Sequence, residues 1–304
     1  MTVALALLLA CAAAGWLAPP LLRRLSDPVV ALVGWLTSIV AVVATSAVAV
    51  VLLLLPEHGL STLHHCWESV VHGTTPTVEV LGGITGGALL TGLLVRVAVV
   101  GARGARRRAR AREEQLSVLR LAGRREAGAP PTVWLDHERP LAFSLASKPG
   151  VVVATEGLHL HLTPSEVDAV LDHERAHLNG HHHLLVAAAD AVATALPVLP
   201  LFKRAGGTIR ELVEMSADMT AARTHGADTV RTALLRVSCH GAPDSALAMG
   251  RDAIDARLER LRRRPRTPSR VSRVLSGTLT GLTAVALPLA TASTTMFTLM
   301  LLTC

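Results

Sequence analysis

The sequence predicts a mainly α membrane protein: four transmembrane helices plus one cytoplasmic α+β domain built round a metal-binding helix. Three observations predict it. Half of the 304 residues are hydrophobic and mean hydropathy is +0.44, with the apolar residues gathered into long uncharged runs. The 17% of residues that are charged are clustered, and much of the arginine lies beside those runs. Finally, His173-Glu174-Arg175-Ala176-His177 sets two imidazoles at i and i+4, one turn apart on one helix face, where both can grip a single Zn²⁺.

Residues 1–102 are expected to form a three-helix membrane region. Residues 3–22 are apolar and end in Pro19-Pro20, followed by Arg23-Arg24, which gives a short first span. Cys11 follows Leu9-Ala10, as in a lipoprotein box, but with no basic lead, so it reads as helix interior. No charge occurs from Val29 to Leu55, enough for a second span. Residues 56–78 are a polar loop carrying His58, His64, His65, Cys66 and His72. These could bind a transition metal as a sensor, although a plain exposed loop is the simpler reading. Residues 80–101 give a third span with Arg96 near one end, where it can snorkel.

Arg103, Arg106, Arg107, Arg108, Arg110 and Arg112 follow at once. With Arg23 and Arg24 they put the basic loops in the cytoplasm, and the N-terminus and the 56–78 loop outside, in the plasma membrane. The net charge of +7 is therefore read as topology rather than nucleic-acid binding, because no aromatic-basic interleaving offers a stacking surface. Cys11, Cys66, Cys239 and Cys304 are scattered, which suggests neither a disulfide framework nor a thiolate zinc site.

Residues 103–270 are expected to be the soluble domain. Glu113 to Leu121 continues a charged helix, and Thr132–Leu135, Ala142–Leu145 and Gly150–Thr155 read as short strands between Pro and Gly. Val151-Val152-Val153 suits a strand beside the metal-binding helix, either pairing with an extended peptide or lying in the core. Thr163-Pro164-Ser165-Glu166 reads as a capping box with proline at the first helical position. Residues 184–202 are apolar but hold Asp190, Pro197 and Pro200, so a helix on or partly in the membrane, or packed against the spans, is expected. A full crossing there would put Glu214 across the bilayer from His173. Residues 209–225 and the Arg/Glu-rich 250–264 give two more helices, and 271–304 gives a last span with the C-terminus outside.

A catalytic zinc needs three protein ligands and an open position. With His173 and His177 fixed by spacing, two candidates compete for the third place. Glu214 lies on a later helix, with Asp218 one turn on, placed to hydrogen-bond a ligand histidine. The alternative is His183, since His173 to His183 also satisfies H-E-x-x-H-x-x-G-x-x-H, with Gly180 turning the chain. Glu214 is preferred: three adjacent histidines make a chance match easy, and neither Met215 nor Met249 sits in an evident Met-turn. Glu174 then faces the metal-bound water as general base.

This arrangement resembles the BlaR/MecR-type antirepressor metallopeptidases and, more distantly, the HtpX-type membrane proteases. The resemblance is carried by Ala142-Phe143-Ser144, Gly150–Thr155, Leu171–His177 and Glu214–Asp218. It implies a zincin-like (gluzincin) fold, Zn²⁺ held by His173, His177 and Glu214, Glu174 as the base and Asp218 behind a ligand. It also implies a cytoplasmic protein or peptide substrate, such as a transcriptional repressor, with the lipid bilayer as the other partner and no nucleic acid bound directly. The antibiotic-sensing members continue into an extracellular penicillin-binding domain; none is expected after Cys304, so direct β-lactam acylation is not expected. Two other functions remain open: quality control of membrane proteins by the same chemistry, and a non-enzymatic signalling scaffold with a structural zinc.

Overall fold

The computed structural model describes residues 2–25, 27–54, 76–128, 130–241 and 254–262. The 56–78 histidines up to His72, Met249, and the last span lie outside them. The described elements are α1 (Thr2–Leu22), α2 (Pro28–Leu54), α3 (Pro76–Ala122), β1 (Arg124–Glu126), β2 (Thr132–Leu135), β3 (Ala142–Leu145), β4 (Val151–Thr155), α4 (Gly157–His161), α5 (Pro164–Asn179), α6 (His182–Ala195), α7 (Pro200–His225) and α8 (Ala227–Gly241). A further helix, α9, covers residues 254–262. The chain divides into two compact units. One takes in the residues up to Gly101 and Ala189–Gly206; the other takes in Ala102–Ala188 and the described residues from Gly207 on.

In the first unit α1 packs on α2, with Trp35 and Ala49 fully buried, and the Cys11 thiol is directed at the Val42 carbonyl at 3.6 Å. Two described helical stretches, Pro28–Val50 and Ile84–Glu114, are long and apolar enough to cross a membrane, while Ala6–Leu22 is apolar but shorter. The expected continuous helix over 184–202 is interrupted. Helix α6 stops at Ala195, because Pro197 cannot donate to a further helical turn, and Pro200 opens α7 nine residues before the expected start at 209. The connecting Leu199 presses against Gly15, where a Cβ would lie 2.7 Å from Leu199 Cδ1. Arg96 Nη2 donates to the Thr194 carbonyl at 3.4 Å. The segment thus packs against other helices of its own unit.

In the second unit the four-stranded sheet runs β1-β2-β4-β3. β2 and β4 are parallel, with Val133 opposite Val153, whereas β3 and β4 are antiparallel, with Ser144 opposite Val152. Every residue of β4 is buried. Val152 and Ala154 face Trp134, Leu158, Val167 and Leu171, while Val151 and Val153 face Val133, Leu145 and Leu119. A strand covered on both faces needs an unbroken apolar run, which is why Val-Val-Val-Ala shows no alternation. Both of its edges are also paired, so β4 is not available to an incoming peptide. The open edge belongs to β3, where Phe143 is 41% exposed. β1 escaped sequence reading because Arg-Arg-Glu carries no strand preference and all three residues are exposed.

Helix α5 begins where the cap predicted it. The Glu166 carboxylate accepts from the Thr163 N–H at 2.8 Å and from Arg236 Nη1 of α8 at 2.6 Å, tying two helices at one point. On α7, Ile209, Val213, Ala217 and Ala221 form one buried stripe at four-residue spacing. His225 and Asp172, 2.8 Å apart, clamp the end of α7 to α5. Ala169, Ala221, Val230 and Leu261 bring α5, α7, α8 and α9 into one cluster.

Leu158, fully buried under β4, reports on this core. Leu158→Ala should cost about 2–5 kcal/mol, read by denaturant unfolding of the solubilised protein; a loss well below this would show that the sheet and α5 do not share one core.

Candidate metal centre

The i, i+4 spacing on α5 brings His173 Nε2 and His177 Nε2 to 3.1 Å. From α7, Glu214 Oε2 lies 3.5 Å from His173 Nε2 and Glu214 Oε1 lies 3.4 Å from His177 Nε2. One donor atom from each of the three residues falls within 4.8 Å of the other two, a group that could hold a metal ion. The donor set and its spacing suit zinc. Ligand bonds of about 2.0–2.1 Å in a tetrahedron give edges of about 3.3–3.4 Å between donors, close to the 3.1 Å between the two imidazole nitrogens, and one Glu214 oxygen faces each ring.

The outer nitrogens of both rings are occupied. His173 Nδ1 is 3.0 Å from Asp218 Oδ1. Asp218, with only 4% of its side chain exposed, accepts from Arg257 Nε at Oδ2 and from Nη2 at Oδ1, each at 2.7 Å. Arg257 Nη1 also lies 3.2 Å from Glu214 Oε2. On the other side, His177 Nδ1 and His182 Nδ1 are 3.0 Å apart. Glu174 stands beside the two histidines, close enough to Ser144 of β3 to interact with it. A cavity of about 160 Å³ opens here, lined by His173, Glu174, Glu214 and Arg257 with Val170, Val237 and other apolar residues of α5 and α8.

The electrostatics call for a cation. Burial opposes charge on His173, but the hydrogen bonds to Asp218 and Glu214 override it and lift the ring to about 9. Burial and then the charge on His173 push His177 down to about 4. Burial works against both carboxylates. For Glu214 the His173 hydrogen bond outweighs it, and for Asp218 the Arg257 and His173 bonds do, so each is held at about 2. Glu174 moves the other way: burial raises it, and the charge on His173 and the Ser144 bonds only partly offset that. A proton on His173 therefore stands where a metal would bind, between two carboxylates of which Arg257 balances one charge.

His183, the alternative third ligand, is not in the group. Helix α5 ends at Asn179 with Gly180 as its cap, His181 takes the left-handed region at φ 50°, and α6 starts at His182. That reversal turns His182 toward His177 and leaves His183 under the influence of Arg108, Arg112 and His181. Met215 lies within helix α7 rather than in a turn. The sequence assigns no role to Arg257 or His182, and it marks Ser144 only as part of the Ala142-Phe143-Ser144 motif. Arg257 is one arginine among many in its helix, and His182 is the middle of a run whose third member fits a known pattern.

Metal uptake should expel the proton on His173. Apparent affinity for zinc should climb from pH 6 to pH 9, and calorimetry in buffers of different ionisation enthalpy near pH 7.5 should show about one proton released per site; uptake without proton release would contradict this charge arrangement.

The family comparison covers most of this unit together with Ala189–Gly206 of the first. Residues 106–241 match the family model described as Peptidase family M48. The matched stretch includes His173, His177, Glu214, Asp218 and His182 but stops before Arg257. A protease HtpX homolog from Thermodesulfovibrio yellowstonii is 34% identical over 84 residues, 27% of this chain and 30% of that protein. The chain thus matches less than a third of that relative's length. No solved structure matches. In residues 106–241, which hold the three converging side chains, the chain is similar to metal-dependent peptidases of family M48.

Proposed function

We propose that the protein is an integral-membrane, zinc-dependent endopeptidase with a zincin-like (gluzincin) domain. The carrying observation is the convergence of His173, His177 and Glu214 with Glu174 at their side. The family M48 match supports the reaction class. Bound zinc would supply Lewis acidity, which makes proton removal from water feasible near neutral pH.

The chain's own residues do the rest. Glu174, raised by burial, takes the proton from the attacking water and returns it to the leaving amine. Ser144 of the edge strand interacts with its carboxylate and favours the ionised form. Asp218 orients His173, and Arg257 orients Asp218 and Glu214 together. The free edge of β3 accepts an extended peptide as an added strand, which sets its backbone beside Glu174. A non-enzymatic scaffold would close its zinc with a fourth protein ligand; the group among the described residues has three.

The arginines from Arg103 to Arg112, and Arg23 with Arg24, favour a catalytic unit in the cytoplasm and an N-terminus outside the plasma membrane. Four spans, with the C-terminus outside, complete this topology. The substrate in this reading is a cytoplasmic regulatory protein such as a transcriptional repressor. A second reading, quality control of membrane proteins, is favoured by the HtpX homolog match.

Glu174→Gln should keep the metal and lower peptide cleavage by about 10²–10⁴-fold; undiminished cleavage would refute the assignment. The same variant serves as a substrate trap in cells. One defined cytoplasmic protein held by it favours regulation, and many membrane proteins favour quality control.

A further inference from the structure

We infer that His182 is a positioning residue for His177: its Nδ1 accepts the Nδ1–H of His177 and fixes that ring with Nε2 toward the metal. This rests on the reading that His177 binds a metal.

The argument begins with the ring itself. His177 Nε2 is the nitrogen nearest His173 Nε2, at 3.1 Å, and Glu214 Oε1, at 3.4 Å, so it is the donor to the shared centre. A neutral imidazole has one proton and one free lone pair. With the lone pair on Nε2, the proton sits on Nδ1, and a partly buried N–H needs an acceptor. His182 Nδ1 is 3.0 Å away, and His182 is itself 7% exposed. The two rings meet edge to face, 4.9 Å between centroids and 86° between planes.

The backbone is shaped to deliver that ring. Helix α5 stops at Asn179, and the residue after Gly180 is the left-handed His181, with φ 50°. A side chain at position 180 would collide with His182 Nε2, and its Cβ would lie 2.7 Å from His182 Cδ2. Glycine is therefore needed at 180 for the ring to fold back over the end of α5. The two ligand histidines are in this way held differently. His173 leans on a carboxylate locked by arginine, and His177 leans on a second imidazole. Outer partners of this kind set ring orientation and ligand basicity, and losing one weakens metal binding by about 10–100-fold.

The test uses the full chain in detergent, titrated with zinc and with cobalt. Asn places its Oδ1 where imidazole Nδ1 sits, because both branch from Cγ, whereas Gln places its oxygen one bond further out. His182→Leu should bind zinc about 10–100-fold more weakly and change the d–d spectrum of bound cobalt. His182→Asn should restore both, and His182→Gln should not. Gly180→Ala should displace the ring and reproduce the Leu result with His182 itself intact. Wild-type affinity and spectrum in His182→Leu would overturn the inference, as would His182→Asn failing as fully as Leu while its far-UV circular dichroism and melting match wild type. If wild type binds neither metal, the metal reading fails instead. The hydrogen bond is then still read by ¹⁵N spectra of histidine-labelled protein: a protonated His177 Nδ1 facing a bare His182 Nδ1 supports it, and a His177 protonated only on Nε2 overturns it.

Discussion

The second unit is arranged around one contact between two helices. One turn of α5 presents His173 and His177, and one turn of α7 presents Glu214 and Asp218, each pair at i, i+4. His173 is shared by both carboxylates: Glu214 meets its inner nitrogen and Asp218 its outer one. A buried and a half-buried carboxylate this close would repel, and stripping them of water is costly without compensating charge. Arg257 supplies one positive charge, and the imidazole proton or a metal ion supplies the other. The metal-binding arrangement and the packing of α5, α7 and α9 are thus one structural problem with one solution.

The remaining elements hold this contact in register. The buried stripe of α7 fixes which face carries Glu214, and the clamp between His225 and Asp172 stops the two helices sliding past each other. The sheet does a different task. With β4 enclosed and β3 at the edge, Ser144 reaches Glu174 from the only strand beside β4 that still has an unpaired side among the described residues. His173 and Glu174 of α5, Glu214 of α7 and Ala142 of the edge strand β3 therefore meet at one cavity.

Much of this was legible in the sequence because the signals are local. The helix cap at Thr163, the i, i+4 histidines and the apolar run of β4 each express a short-range rule. The limits are equally physical. Sequence spacing could rank Glu214 over His183 but not measure it, since the choice depends on how α7 packs on α5. The order of strands is not encoded in their composition, so whether β4 or β3 faces an incoming peptide could not be read. Arg257 comes from a helix 43 residues beyond Glu214, and only the folded chain reveals it as the counter-charge. His182 was hidden by its neighbours: in a run of three histidines, a left-handed residue at 181 decides which ring turns inward. The break between α6 and α7 at Pro197 and Pro200 is masked in the sequence, because the apolar run over 184–202 outweighs two prolines in a hydropathy reading.

The most direct test is metal content of the purified full chain, wild type beside Glu214→Ala and His183→Ala. The account predicts one zinc per chain in wild type, the same in His183→Ala, and loss of the metal in Glu214→Ala. Zinc retained without Glu214 and lost without His183 would contradict it.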